Sequence, residues 1–212
     1  DRDTTQNVGA TEKIFDSFRN RESNILLGTQ MVAKGHDFPG VQLVGVVGAD
    51  SSLGVPDFRG DERLYQLLSQ TAGRAGRAQG GGKVIIQTLN PNNAVMQFAI
   101  RHDYEGFAQL EGENRLAAFY PPFCKLVSIS VGCKDECLLR QTVSFVDSSC
   151  RSDKSLMVFG PVDAFIAMVQ NVHWVKLYIK TKDLNGVRKI LSPIVNNPKG
   201  VAPGVDIKVE LE

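Results

Sequence analysis

Two consecutive prolines, Pro121 and Pro122, are the feature that most constrains how this chain can fold. Proline lacks the backbone amide that helices and central strands use, and it disfavours helical backbone in the residue before it. The segment from Tyr120 to Phe123 therefore interrupts regular structure, and the hydrophobic pattern differs on its two sides. A chain of 212 residues can bury one ordinary core or two small ones. The interruption favours two domains with a boundary close to it.

Before this break, short apolar runs alternate with segments of helical spacing. Nearly continuous apolar runs are typical of strands buried on both faces of a parallel sheet, and spacing of three and four residues is typical of amphipathic helices. The alternation predicts an α/β domain, a parallel sheet with flanking helices, over residues 1–90 and a helical linker over 91–120. The predicted elements are a helix from Thr11, strands over 25–27, 43–47 and 83–88, and a helix over 64–72.

After the break, residues 121–212 show apolar and polar residues alternating every second position in three segments, and an apolar segment over 157–168 predicts a fourth strand. Such alternation predicts half-exposed strands, and two segments of helical spacing lie between them. The order β-α-β-β-α-β predicts a small α+β sandwich of the ferredoxin-like type. The predicted strands cover 127–131, 157–168, 172–180 and 205–211, and the helices run through 138–145 and from a cap at Asp183 to 194.

The segment from Gln70 to Arg77 is the most informative part of the sequence for chemistry. Arg74 and Arg77 each follow a glycine, Gly73 and Gly76, which lets the backbone approach a ligand without a Cβ clash. Guanidinium groups bind phosphate oxygens through planar, charge-assisted hydrogen bonds, and an arginine finger stabilises charge on a transferring phosphoryl group. The alternative is that both arginines are solvated charges at a helix C-terminus.

A second polar segment, 28–38, directly follows the predicted strand over 25–27. It places Thr29, Lys34 and Asp37 in a loop at the carboxyl end of a parallel strand, where α/β folds collect ligand sites. The two segments together are far more specific than either alone.

These segments resemble motifs V and VI of superfamily 2 helicases, whose motor consists of two RecA-like lobes that close on ATP. The chain is most similar to the replication-restart DNA helicases within that superfamily. The resemblance rests on DRDTT at the start, GTQMVAKGHDFPGV, PDFRGDERLYQLLSQTAGRAGR, HDYEGF and YPPF. It implies that residues 1–90 form the second RecA-like lobe.

The same resemblance implies roles for individual residues. Arg77 would be the arginine finger, with Arg74 and Gln70 beside the γ-phosphate and the attacking water. Thr29 and Lys34 would face the DNA backbone and couple its movement to the ATP site. The residues implied to contact ATP are Gly35, Asp37, Gly73 and Gly76.

The resemblance further implies an ATP-dependent 3'-5' DNA helicase that acts at stalled replication forks and in primosome assembly. Its implied partners are forked and single-stranded DNA, primosome proteins and single-strand-binding proteins, and its implied cofactors are ATP and Mg²⁺. The sequence contains no G-x-x-x-x-G-K-[ST] phosphate loop and no paired CxxC motifs, which the family carries upstream of DRDTT. We therefore expect a C-terminal fragment that begins without an initiator methionine, is inactive alone and lacks the zinc of the full-length protein.

Two other classes of function are consistent with these segments. One is a different superfamily 2 ATPase, such as an RNA helicase or a fork-reversal translocase, which would share motif VI but not the PDFR and YPPF segments. The other is a nucleic-acid-binding module that has kept motor residues without activity. An upstream phosphate loop would exclude the second class.

The strand predicted over 172–180 places Trp174, Lys176, Tyr178 and Lys180 on one face. Aromatic rings and lysines on a strand face are typical of small domains that hold single-stranded nucleic acid. The alternative is that a helix or the first domain covers this face. Replication-restart helicases tend to carry arginines and tyrosines in this strand, so His173 and Trp174 depart from the family pattern.

Charge, cysteines and hydropathy set further limits. A formal charge of +1 indicates that any nucleic-acid contact comes from local patches. The four cysteines lack the spacing of a zinc site, and Cys137 is expected to lie buried on a helix. No apolar run reaches the roughly 18 residues that a membrane span requires, so we expect no membrane partner and a cytoplasmic protein with reduced thiols.

Overall fold

The computed structural model describes residues 10–29, 32, 38, 40–52, 57–75, 82–196, 201 and 203–212. The chain divides into two compact units, Asp1–Gln109 and Leu110–Glu212. The dividing point lies inside a helix, Tyr104–Ala117, within the stretch that the sequence predicts as a helical linker.

The first unit combines helices with a two-stranded parallel sheet. Its described elements are α1 (Ala10–Arg19), β1 (Leu43–Val46), a short 3-10 helix (Ala49–Ser52), α2 (Gly60–Ala75), β2 (Lys83–Ile86), α3 (Ala94–Arg101) and the beginning of α4 (Tyr104–Ala117). Its core joins α2 to the following helices. Tyr65 of α2 stacks on Phe107 of α4 with ring centroids 4.3 Å apart, and Leu64 and Met96 are fully buried beside them.

Two sequence predictions for the sheet of this unit are wrong. Residues 25–27 form no strand, and Ile25 and Leu27 are 76% and 88% exposed. β1 is not buried on both faces, since Leu43 is 57% exposed. The predicted strands over 43–47 and 83–88 form as Leu43–Val46 and Lys83–Ile86. Their burial depends on neighbouring elements, and the described part of this unit does not provide a second covering layer.

The second unit is an antiparallel sheet with two helices on one face. Its elements are β3 (Lys125–Cys133), α5 (Glu136–Arg151), β4 (Met157–Val169), β5 (Val172–Thr181), α6 (Leu184–Asn196) and β6 (Val205–Leu211). The strands are ordered β4-β5-β3-β6, and every neighbouring pair is antiparallel. The predicted order of elements, β-α-β-β-α-β, is confirmed.

Strand alternation explains which face of this sheet is buried. Ile129 and Val131 of β3 and Leu177 and Ile179 of β5 are 0% exposed, and they pack against the apolar stripes of α5 and α6. The intervening residues of β3 are small and lie on the opposite face, because successive side chains of a strand point to opposite sides. Those residues are Ser128, Ser130 and Gly132.

Side-chain caps fix the starts of two helices, one in each unit. The carboxamide oxygen of Asn93 accepts a hydrogen bond from the Val95 amide (2.9 Å) at the start of α3. The carboxylate of Asp135 accepts from the amides of Cys137 (2.8 Å) and Leu138 (3.1 Å) at the start of α5. Cys137 is exposed at this position, so its predicted burial is wrong.

β4 is an edge strand with an irregular pairing to β5. Asp163 pairs with Val175 and Met168 with His173, so more residues of β4 than of β5 lie between the two pairs. Phe165 and Ile166 fall in this bulge and are 71% and 64% exposed. None of the described helices has both the length and the apolar character of a membrane span.

Candidate nucleotide and nucleic-acid sites

The last turns of α2 carry the described part of the motif VI segment. Leu64, Leu68, Thr71 and Ala75 are buried at helical spacing, and the Thr71 hydroxyl donates to the Leu67 carbonyl (2.6 Å). This stripe fixes the rotation of α2. Tyr65 is buried as well, against Phe107, and the outward surface of the helix carries the exposed residues Arg63, Gln66, Gln70 and Gly73.

Gln70 and Gly73 lie on that outward surface, and both are exposed. Residues three and four positions apart are neighbours on a helix, so Gln70, Gly73 and the backbone of Arg74 share one face. A Cβ placed on Gly73 would meet nothing within 4 Å, so the surface around it is open. α2 ends at Ala75, and Gly76 and Arg77 lie outside the described residues.

Asp57 organises the start of α2. Its carboxylate accepts hydrogen bonds from the Arg59 amide (2.9 Å) and Nε (3.2 Å) and pairs with Arg63 Nη2 (2.8 Å). Partial burial acts to raise the pKa of Asp57, but these hydrogen bonds and the two guanidinium charges hold it below its usual range. We assign Asp57, Arg59 and Arg63 a structural role at the entry to α2, because these contacts join them to one another.

Among the candidate site residues of the motif V segment, Thr29 lies within the part of the chain that the structure describes. Thr29 is exposed, and its carbonyl accepts a hydrogen bond from the Val32 amide (3.0 Å). Lys34, Gly35 and Asp37 lie outside the described residues. Their implied contacts with DNA and ATP remain predictions.

In the second unit, Trp174, Lys176 and Tyr178 lie on the sheet face opposite the two helices. They pair in register with Gly132, Ser130 and Ser128 of β3. All three side chains of β5 are half-buried, and the Lys176 ammonium lies 6.0 Å from the centre of the Tyr178 ring. Because α5 and α6 pack on the other face, the aromatic and basic residues remain at the surface of this unit.

Lys180 differs from its neighbours on β5. It is 7% exposed, and its ammonium donates to the Ala118 carbonyl (2.8 Å) at the C-terminal end of α4. The ammonium also lies 3.4 Å from the centre of the Tyr120 ring and 5.2 Å from that of Phe159. Burial lowers the pKa of Lys180. The prediction that Lys180 presents its charge on the open face is therefore wrong, since the charge is already bound within the unit.

Sequence reasoning missed two residues of this face, Lys208 and Gly132. The Lys208 ammonium lies 4.5 Å from the centre of the Trp174 ring, and that ring lies against Gly132. Alternation in the last strand could have placed Lys208 on one face with Asp206 and Glu210. The position of β6 beside β3 could not be read from the sequence.

No group of three or more His, Cys, Asp or Glu side chains within the described ranges is arranged to hold a metal ion. Cys124, Cys133 and Cys150 are buried, and burial raises the pKa of the Cys150 thiol to about 11. A thiol with so high a pKa is neutral and unreactive at physiological pH.

Comparisons with known proteins identify relatives of both units. Residues 3–79 match the family described as the helicase conserved C-terminal domain. The replication restart protein PriA of Bacillus subtilis is 39% identical over 203 residues, which cover 94% of this chain and 25% of that protein. PriA of Synechocystis is 38% identical, over a region that covers 82% of this chain and 21% of the relative. PriA of Chlamydia trachomatis is 35% identical, over a region that covers 87% of this chain and 25% of the relative. The chain thus spans about a quarter of the length of these relatives.

Proposed function

We propose that this chain, a member of the PriA family of replication restart proteins over the quarter of their length that it spans, forms part of an ATP-dependent 3'-5' DNA helicase. The first unit would be its second RecA-like lobe. The second unit would be a ferredoxin-like domain that contacts DNA. The proposal rests chiefly on the similarity to PriA across 94% of the chain. The exposure of Gln70 and Gly73, two residues of the motif VI segment, supports it.

The ATP site of this proposal is centred on the end of α2. Arg77 would act as the arginine finger, Arg74 and Gln70 would lie beside the γ-phosphate and attacking water, and Gly73 and Gly76 would allow close approach. The exposed carboxamide of Gln70 and the open surface around Gly73 are compatible with a phosphate group. Bound ATP supplies the phosphoryl group, and guanidinium groups stabilise its developing charge. Gly35 and Asp37 would contact the ribose.

The Mg²⁺ ligands and the phosphate loop would come from the other RecA-like lobe, since the sequence of this chain contains no phosphate-loop motif. Zinc would likewise be bound by CxxC pairs of the complete protein. The chain alone would therefore not hydrolyse ATP. DNA-stimulated ATP turnover by the purified 212-residue chain, free of contaminating ATPase, would contradict this division of the site.

DNA contacts would come from both units. Thr29 and Lys34 would bind the DNA backbone and couple its movement to hydrolysis. Trp174, Lys176 and Tyr178 would hold single-stranded DNA by base stacking and phosphate attraction. Addition of an oligothymidylate should quench the emission of Trp174, the chain's one tryptophan. Unchanged emission would remove this face from the proposed DNA site.

The proposed setting is the cytoplasm, at stalled replication forks, where the complete protein would meet forked DNA, primosome proteins and single-strand-binding proteins. The similarity of this chain to proteins named for replication restart supports the setting.

The decisive experiment is Arg77→Ala in the complete protein. Loss of an arginine finger should lower ATP turnover roughly a thousandfold, while nucleotide binding weakens much less, because the guanidinium acts mainly on the transition state. Arg101→Ala, at the exposed end of α3, is the matched control and should leave turnover unchanged. Near-normal turnover in the Arg77 variant would remove the finger from this position.

A further inference from the structure

The central strand of the second unit leaves room for a large ring on its open face. β3 presents Ser128, Ser130 and Gly132 there, between longer side chains on β5 and β6. A Cβ built on Gly132 would lie 2.8 Å from each of three carbons of Trp174, Cε3, Cζ3 and Cη2. A point equally distant from three atoms of a six-membered ring lies on the axis of that ring. The benzo ring of Trp174 therefore lies flat on the Gly132 backbone.

Lys208 covers the same ring. It is exposed on β6, and its ammonium lies over the ring at 4.5 Å from the centre. Because the Gly132 backbone occupies one face of the ring, the ammonium lies over the face directed away from the sheet. An ammonium in this position is attracted by the negative face of the indole. The outer face of Trp174 is thus already occupied by a cation.

The lysines of the open face are arranged symmetrically about β3. Ser130 pairs with Lys176 on one side and with Lys208 on the other. Asp206 and Glu210 are the acidic residues that precede and follow Lys208 on its face of β6. The Lys176 ammonium lies near the Tyr178 ring and the Lys208 ammonium over the Trp174 ring. Two lysines on this face can bind phosphates of a nucleic-acid strand without a large basic surface.

We propose that Lys208 is a displaceable cap on Trp174, which single-stranded DNA exchanges for a base. This inference rests on the proposed DNA-binding function of the face. A base stacks on the outer face of the indole, and the released ammonium binds a phosphate of the same strand. Stacking on an aromatic ring is stronger than an exposed cation–π contact, so the exchange favours the bound strand. Bases in a duplex are already stacked on their neighbours, and the cap therefore favours single strands over duplex DNA.

The cap is tested first without DNA, in the 212-residue chain. Lys208→Ala removes the ammonium and the side chain that carries it over the ring, and it should raise the acrylamide quenching constant of Trp174. Lys176→Ala makes the same truncation on the other side of Ser130 and should leave that constant unchanged. Equal quenching in wild type and the Lys208 variant would overturn the cap.

Oligothymidylate binding, followed by Trp174 emission, tests the exchange. Each lysine variant should lower the dependence of log K on log salt by about 0.7, the contribution of one phosphate contact on a single strand. When the salt concentration is raised from about 50 mM to about 500 mM, the binding constant of each variant should therefore rise about fivefold relative to that of wild type. Lys208→Ala should in addition bind more tightly than Lys176→Ala at every salt concentration, because the Trp174 ring is uncovered in the Lys208 variant.

The possible failures are distinguishable. If the oligonucleotide leaves the wild-type emission unchanged, the DNA-binding function of the face fails. If wild type binds but the two variants bind with equal affinity, DNA binding stands and the cap is overturned. If the salt dependence of Lys208→Ala equals that of wild type, the transfer of the ammonium to phosphate is overturned.

Discussion

The two units of this chain close their cores to different degrees. In the second unit, β3 and β5 bury one complete face under α5 and α6, and Ile129 and Leu177 are 0% exposed. In the first unit, Leu43 of β1 is 57% exposed and Val47 after it 83%. Extended exposed apolar surface marks places where other protein is bound. The comparison indicates that the second unit covers one face of its sheet with its own helices, whereas the described part of the first unit leaves apolar residues of its sheet exposed.

The largest expected effect tests whether the two cores are independent. Leu177→Ala in the second unit and Leu64→Ala in the first each remove a fully buried side chain, and each should lower the free energy of unfolding by about 2–5 kcal/mol. Hydrogen exchange should show that each substitution lowers amide protection in its own unit. Equal loss of protection in both units after either substitution would show one shared cooperative core.

A smaller effect distinguishes the two lysines on one strand. Lys180→Met leaves the Ala118 carbonyl without its buried ammonium donor and should cost about 1–3 kcal/mol. Lys176→Met should change the free energy of unfolding by less than about 0.5 kcal/mol, because Lys176 has no such buried hydrogen bond among the described contacts. Denaturant titration of both variants measures the difference. Similar costs would contradict the structural role of Lys180.

The smallest effect compares one cap from each unit. Asn93→Ala and Asp135→Ala should each cost about 1 kcal/mol, because each side chain satisfies amides at a helix start. The control is Asn114→Ala on the exposed surface of α4, where alanine should stabilise the helix by a few tenths of a kcal/mol, roughly its propensity advantage. Thermal unfolding of the three variants shows whether the two cap variants lose stability and the control gains it. Destabilisation by the control would show that helix propensity does not explain these substitutions.

The sequence predicted local structure more reliably than burial. The order of elements in the second unit followed from alternation, and α2 extends through Gln70 as its spacing indicated. The burial of Lys180 could not be predicted, because its partner Ala118 lies 62 residues away. The contact between Trp174 and Lys208 also depends on a strand order that no local pattern encodes.

For the candidate sites, too, the sequence predicted local features better than burial and long-range contacts. The motif VI segment was recognised by its resemblance to superfamily 2 helicases, and two of its residues, Gln70 and Gly73, lie exposed on one helix face. The roles of Arg77, Asp37 and Lys34 stay predictions, because they lie outside the described residues. On the second unit, the sequence identified the aromatic and basic strand but not which of its charges are free to bind a ligand.

The bulge in β4 affects how this domain behaves at high concentration. An uninterrupted apolar edge strand can pair with the same edge of another molecule and begin an intermolecular sheet. The bulge around Phe165 and Ile166 breaks the regular spacing of amides and carbonyls that such pairing requires. The edge can therefore expose two large apolar side chains without offering a continuous template for aggregation. Shortening the bulge would remove this protection while leaving the folded core intact.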